Sequence, residues 1–196
     1  DVKPDITFNL IGYGVSQKER DEDLMWKINS SLPGEITQTI SEDKKSSHQM
    51  IRLIHVGSGF EYGTIENEIT ESTIPNPKTI YGKSKLAGTK KVCEISCKTG
   101  LPALTARLFT VYGPGEEEPR LFPSLVRISK TQESLNLTGG EQERDFTFVK
   151  DAAMGLLKLG ILKNVPGPII NVATGTLLKV KDFALCAANL MGIPED

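Results

Sequence analysis

Residues 50–59 read Met-Ile-Arg-Leu-Ile-His-Val-Gly-Ser-Gly, and residues 79–88 read Thr-Ile-Tyr-Gly-Lys-Ser-Lys-Leu-Ala-Gly. The first is a short apolar run that stops at a Gly-Ser-Gly turn, the pattern of a buried strand expected over residues 50–56. The second opens a helix expected over residues 79–99, closed by Gly100 as its C-terminal cap with Pro102 just beyond. Residues 103–110 follow as a further strand. Strand, helix and strand in that order point to an α/β fold with a largely parallel sheet.

Working outward, residues 6–11 form another apolar run, read as a strand. Residues 21–40 carry Leu24, Met25, Ile28, Leu32, Ile36 and Ile40 at helical spacing, with Pro33 and Gly34 predicting a kink or a split. The polar residues 41–49 read as a loop, and residues 63–78 as irregular chain punctuated by Pro75 and Pro77. Beyond the Gly113-Pro114-Gly115 turn, helices are expected over 121–129, 152–162 and 180–191. Strands are expected over 134–137, 145–149 and 169–172.

The chain has 196 residues, 38% hydrophobic and 24% charged, as a soluble globular protein would. Its formal net charge is −2 and its cations are scattered, so no nucleic-acid partner and no membrane surface are expected. No apolar run approaches the roughly 18 residues of a spanning helix, and no leader pattern is visible. Three cysteines, Cys93, Cys97 and Cys186, form an odd set without a CxxC, which predicts reduced thiols in a cytoplasmic protein. His48 and His55 are not spaced as ligands, so no metal site is expected. The Asn-x-Ser/Thr triplets at Asn29 and Asn136 read as chance matches.

Tyr81 and Lys85 stand four apart, on one face of their helix. A phenol ionises near pH 10, and a neighbouring ammonium favours its phenolate form. Such a pair can carry a proton to or from a hydroxyl while a hydride moves to or from a nicotinamide. A bare Tyr-x-x-x-Lys is common on exposed helices, so its context matters. Ser58 stands at the end of the preceding strand, where open α/β sheets place ligands, and its hydroxyl could orient the reacting oxygen.

Five motifs follow one another. They are Gly57-Ser-Gly-Phe-Glu-Tyr-Gly63, the Tyr81 motif, Ala106-Arg-Leu-Phe-Thr-Val-Tyr-Gly-Pro-Gly115, Arg144-Asp-Phe-Thr-Phe-Val-Lys-Asp151 and Asn171-Val-Ala-Thr-Gly175. In this order the chain resembles the extended short-chain dehydrogenases/reductases, the NAD-dependent epimerase/dehydratase family. The resemblance implies a Rossmann-like, mostly parallel sheet with helices on both faces. It divides the chain into a dinucleotide-binding part, residues 1–112, and a mainly substrate-binding subdomain, residues 113–196, interleaved with the sheet. NAD or NADP is the implied cofactor and a nucleotide-diphosphate sugar the implied substrate. A homodimer through the Tyr81 helix is implied as well.

Residue by residue, the resemblance assigns Ser58, Tyr81 and Lys85 to catalysis. It assigns Leu10, Ile11, Gly12, Asn29, Val56, Gly57, Leu108 and Phe109, together with Tyr81 and Lys85, to the cofactor. Ser58, Phe60, Thr110, Leu121, Phe122 and Arg144 are assigned to the substrate, with Arg144 reaching the diphosphate.

Two departures refine this reading. The family's G-x-x-G-x-x-G phosphate turn does not precede Ile6, and Gly12-Tyr13-Gly14 is no substitute, because Gln17 stands where the third glycine belongs. The phosphate-binding opening and the C-terminal end are therefore expected outside these residues. Sugar 4,6-dehydratases of the family carry Asp-Glu after the serine or threonine. Here Gly59 and Phe60 occupy those places and Glu61 comes one place late. The expectation is an NAD(P)-dependent epimerase or 4-keto-sugar reductase. A non-catalytic nucleotide-binding or regulatory member of the same fold, or an inactive fragment of the enzyme, is the alternative.

Overall fold

The structure is a computed structural model that describes residues 4–16, 18–47, 51–64, 68–131, 133–135, 137, 139–164 and 167–193, with 44–47 as main chain. Gln17, His48, Met50 and Asn136, each used in the sequence reading, lie outside the described residues. The chain divides into two compact units: residues 1–108 with 153–172, and residues 109–152 with 173–196.

In the first unit the described strands form a four-stranded parallel sheet of β1 (Ile6–Asn9), β2 (Arg52–Ser58), β3 (Ala103–Leu108) and β6 (Ile169–Val172), in the order β1-β2-β3-β6. Strand β1 is shorter than residues 6–11. The Asn9 side chain accepts the Ile11 N–H at 3.2 Å and turns the chain out of the ladder. Leu10 and Ile11 are left 61% and 49% exposed.

Between β1 and β2 the described helical elements are α1 (Glu22–Trp26), a π-turn (Lys27–Ser31) and α2 (Leu32–Ser47). Asp21 caps α1 by accepting the Leu24 N–H at 2.9 Å. The irregularity expected at Pro33 falls one turn earlier. A proline has no N–H to offer the residue four before it, here Asn29, and its ring crowds that carbonyl; the wider π-turn relieves the clash. Residues 41–47, expected as loop, continue α2. Gln38 bonds Glu42 at 2.7 Å and the Ser41 hydroxyl bonds back to the Gln38 carbonyl at 2.7 Å, so the polar side chains support the helix. Helix α3 (Ile80–Thr99) is capped by Thr79, whose hydroxyl accepts the Gly82 N–H, and ends at Gly100 with φ 69°.

The two faces of the sheet differ. Ile54, Leu104 and Ala106 form a core with Leu156 and Leu159 of α5 (Val149–Ile161), flanked by Phe8, Val56, Leu108 and Val172. By alternation the opposite face carries Asn9, His55, Thr105 and Arg107, all at most 4% exposed, and α3 packs against β2 and β3. Asn9, His55 and Thr105 are in register across β1, β2 and β3, and Gly57, Arg107 and Asn171 across β2, β3 and β6.

In the second unit β4 (Thr110–Tyr112) pairs parallel with β5 (Glu143–Phe148), which pairs antiparallel with β7 (Leu177–Lys179). The single strand expected over 103–110 is thus two strands, divided at Phe109. Strand β7 was not expected. No strand forms at the described residues of 134–137. Phe146 and Phe183 stack at 3.9 Å, and Tyr112 meets Phe122, Phe148 and Phe183. Leu125 and Ile128 of α4 (Leu121–Thr131) pack with Ala184 of α6 (Val180–Leu190). No helix among the described residues is long and apolar enough to cross a membrane.

Candidate active site

Ser58 closes β2 and caps a single 3-10 turn, Gly59–Glu61. The turn is a reciprocal capping box: the Ser58 hydroxyl accepts the Phe60 N–H at 3.2 Å, and Glu61 Oε1 accepts the Ser58 N–H at 2.9 Å. The hydroxyl is used as an acceptor, so its proton is left to donate. Gly57 has no room for a side chain, since a Cβ there would stand 2.6 Å from Glu61 Oε1 and 2.7 Å from the Thr105 methyl.

Lys85 reaches from α3 to the same strand end. It is 2% exposed, and its Nζ donates to the Val56 carbonyl at 2.6 Å, leaving two N–H donors. Burial pulls its pKa down to about 8, against the opposing pull of the Glu61 charge.

Tyr81 lies one turn before Lys85, half-buried, with its ring edge-on to Phe60 at 5.8 Å. The backbones also approach here: a Cβ on Gly82 would meet the Phe60 carbonyl oxygen at 2.5 Å. The loop after β1 also comes near Tyr81, where a Cβ on Gly14 would lie 3.3 Å from Tyr81 Cδ2.

Asn29, fully buried, holds that loop. It accepts the Tyr13 N–H at 2.9 Å and donates to the Tyr13 carbonyl at 2.7 Å and to Ser84 of α3 at 3.0 Å. Buried and fully bonded, Asn29 is no glycosylation acceptor. The amides of Gly14, Val15 and Ser16 all point to Glu19 Oε2 at 2.7, 3.1 and 3.2 Å. The glycine-rich turn therefore grips a carboxylate of its own chain.

The other residues named from sequence fall as follows. Leu10, Ile11 and Gly12 extend from the carboxyl end of β1. Val56 and Gly57 precede Ser58, and Leu108 ends β3. In the second unit Phe109 and Thr110 enter β4, while Leu121 and Phe122 open α4. Arg144 is exposed on β5 and its Nη1 donates to the Glu143 carbonyl at 2.7 Å.

Sequence reasoning missed an ion pair beneath Ser58. Glu61 and Arg107 are 0% and 1% exposed, and Arg107 Nε donates to Glu61 Oε2 at 2.8 Å. Thr89 of α3 donates to Glu61 Oε1 at 3.1 Å, and the guanidinium lies over the Tyr62 ring at 4.4 Å. The Ser-x-x-Glu spacing of Ser58 and Glu61 is the sequence signature of a capping box and could have revealed the bond from Glu61 to Ser58, though not the partner Arg107.

A family model described as the NAD dependent epimerase/dehydratase family matches residues 1–173. The chain belongs to the NAD-dependent epimerase/dehydratase family. The resemblance drawn from the five ordered motifs is thereby established, over most of the chain. Among curated relatives, the uncharacterised UDP-glucose epimerase YtcB of Bacillus subtilis (strain 168) is 29% identical over 127 residues, covering 64% of this chain and 40% of the relative. A dTDP-glucose 4,6-dehydratase of Xanthomonas campestris pv. campestris is 34% identical over 103 residues, covering 51% and 29%. The chain thus spans well under half the length of these relatives.

Among solved structures, MoeE5 in complex with UDP-glucuronic acid and NAD matches with a TM-score of 0.82 at 23% identity, over 96% of this chain and 62% of that one. RMD from Pseudomonas aeruginosa complexed with NADPH matches with a TM-score of 0.83 at 23% identity, over 97% and 68%. These likenesses establish the Rossmann-type fold, with its mostly parallel sheet.

Proposed function

We propose that the protein carrying this chain is an NAD(P)-dependent nucleotide-sugar epimerase or 4-keto-sugar reductase, with Tyr81 as the acid/base. One observation carries the reading: Lys85 bonds the Val56 carbonyl and the Tyr81 ring packs edge-on to Phe60, on either side of Ser58 in the chain, while the nearest acid in sequence, Glu61, is buried in a pair with Arg107. A proton can be exchanged at a sugar oxygen, but Gly59 and Phe60 offer no group to drive loss of water, which disfavours a dehydratase.

The residues present fit a nicotinamide cofactor. Lys85 keeps two donors for ribose hydroxyls, and Gly12 leaves open space at the end of β1, where a Cβ would find nothing nearer than 3.9 Å. When bound, the cofactor accepts or supplies the hydride. Ser58 donates its proton to the reacting oxygen and orients it. The Tyr81 hydroxyl exchanges the proton at that oxygen, and the Lys85 ammonium favours the phenolate. Phe60, 56% exposed beside Tyr81, offers an apolar surface to a sugar ring. In this reading Leu10, Ile11, Asn29, Val56, Gly57, Leu108 and Phe109 line the cofactor. In the same reading Thr110, Leu121, Phe122 and Arg144 serve the substrate, and the second unit is the substrate-binding subdomain.

The test is turnover of UDP-, dTDP-, GDP- and CDP-sugars by the full-length protein, with Tyr81→Phe beside it. The expected result is epimerised or reduced sugar with the parent and a loss of about 100-fold or more in kcat with the variant. Undiminished turnover by Tyr81→Phe would remove the role given to it. Dimerisation through α3 belongs to the same reading, and a monomer mass by light scattering would oppose it.

A further inference from the structure

We infer that Glu61 is the positioning residue of this site: its buried carboxylate holds the main chain of Ser58 in place. The inference rests on the catalytic reading of Ser58 and Lys85 above, and goes beyond it to a residue that does not touch the reacting atoms.

Glu61 stands where three elements meet. Oε1 accepts the Ser58 N–H at 2.9 Å from β2 and the Thr89 hydroxyl at 3.1 Å from α3. Oε2 accepts Arg107 Nε at 2.8 Å from β3. Each bond opposes a different displacement of the carboxylate, and the carboxylate in turn fixes the strand end that carries the Ser58 hydroxyl. The support reaches further: Arg107 lies over the Tyr62 ring, and the Tyr62 hydroxyl donates to Asn171 of β6 at 2.8 Å. Gly57 is required by this arrangement, because any side chain there would occupy the place of the Glu61 carboxylate.

The electrostatics point the same way. Glu61 pairs with Arg107 of β3, over whose guanidinium the Tyr62 ring lies, its charge acts on Lys85 and Cys93 of α3, and the Lys85 charge acts on His55 of β2. Burial disfavours the Lys85 ammonium, and the Glu61 charge opposes that effect. Arg107 Nη1 and Nη2 have no hydrogen-bond partner among the described residues, so Glu61 is the carboxylate that answers this buried cation. A structural brace alone would need a partner for Arg107. It would not need an oxygen given to the serine N–H as well.

Glu61→Gln keeps the shape and removes the charge. Glu61→Gln with Arg107→Gln removes both charges, and so separates folding from positioning, because a buried ion left without its partner is itself destabilising. Three quantities are measured in the full-length protein: the thermal midpoint, the Lys85 titration midpoint by NMR of labelled lysine, and kcat and KM against pH with a sugar nucleotide that the parent turns over. Glu61→Gln is expected to lower the Lys85 midpoint below that of the parent. It is also expected to reduce kcat about 100-fold, the scale of a misplaced reacting group, with KM changed less than about twofold. The double variant is expected to regain thermal stability and not kcat. Should Glu61→Gln fail to fold, the double variant carries the kinetic test and its own Lys85 titration.

A double variant with the parent's kcat and pH profile would overturn the inference, and so would a Lys85 midpoint that stays put in Glu61→Gln. The titration needs no substrate. A parent that turns over no sugar nucleotide would defeat the proposed function, and the Lys85 titration would then decide the inference by itself.

Discussion

Lys85 Nζ donates to the Val56 carbonyl oxygen at 2.6 Å, which ties α3 to β2 two residues before Ser58. Burial lowers this lysine from 10.5 to about 8. Between those values the folded chain binds fewer protons than the unfolded one, so this group makes stability rise as pH climbs from about 8 toward 10.5. Lys85→Met should abolish that rise. Urea unfolding at pH 8, 9 and 10 measures it, and equal slopes in parent and variant would contradict the placement of the ammonium.

His55 gives the opposite end of the pH range. It is fully buried on β2, its Nδ1 faces Asn9 Nδ2 at 3.2 Å, and burial followed by the Lys85 charge lowers it from 6.5 to about 3. Below pH 6.5 the unfolded chain takes up a proton that the folded chain refuses. Stability should therefore fall toward pH 3, by at most about 1.4 kcal/mol per pH unit from this group. His55→Gln should flatten the fall, read from thermal midpoints between pH 6.5 and 4.

Gly88 distinguishes packing from helix propensity. Propensity alone favours alanine over glycine by about 1 kcal/mol in a helix. A Cβ at Gly88, however, would collide with the Asn29 carbonyl oxygen, a main-chain atom that cannot swing aside. Gly88→Ala is expected to destabilise by about 1–3 kcal/mol. Gly34→Ala is the control: its Cβ would meet only the flexible Lys91 side chain at 3.2 Å, and the change should be neutral or stabilising. Chemical denaturation of both variants gives the comparison.

Asp145 anchors the second unit. Its carboxylate accepts the Thr147 hydroxyl, the Thr174 N–H and hydroxyl and the Gly175 N–H at 3.1, 2.9, 3.0 and 2.7 Å, joining β5 to the turn before β7. Asp145→Asn turns one acceptor into a donor facing other donors. A loss of about 2–3 kcal/mol is expected, at the scale of bonds to a charged group. Calorimetry measures it, and a thermal midpoint unchanged from the parent would count against the clamp.

Much of the fold was legible because hydrophobic period and capping are local. The Gly100 stop closed α3, and the apolar runs marked β2, β3 and β6. The polar end of α2 was misread because residues 41–47 lack an apolar stripe, while Glu42, Lys44 and Lys45 favour helix and Gln38 bonds Glu42 across one turn. Strand β7 was missed because three residues carry too little pattern. The break at Phe109 was missed because an apolar run does not reveal which unit each of its residues joins. At the site, Ser58, Tyr81 and Lys85 were legible as a motif, while Glu61 looked like a displaced catalytic acid.

By itself the sequence determined the α/β class, the family and the helix that presents Tyr81 and Lys85 on one face, since each depends on residues close together along the chain. The tertiary structure alone decided that the sheet has one apolar face under α5 and one polar face under α3, and that Glu61 turns inward to Arg107. Those outcomes depend on the register of β2 against β3 and on what desolvated charges can reach. Neither is written in the spacing of neighbouring residues, because the partners lie 46 positions apart in the chain.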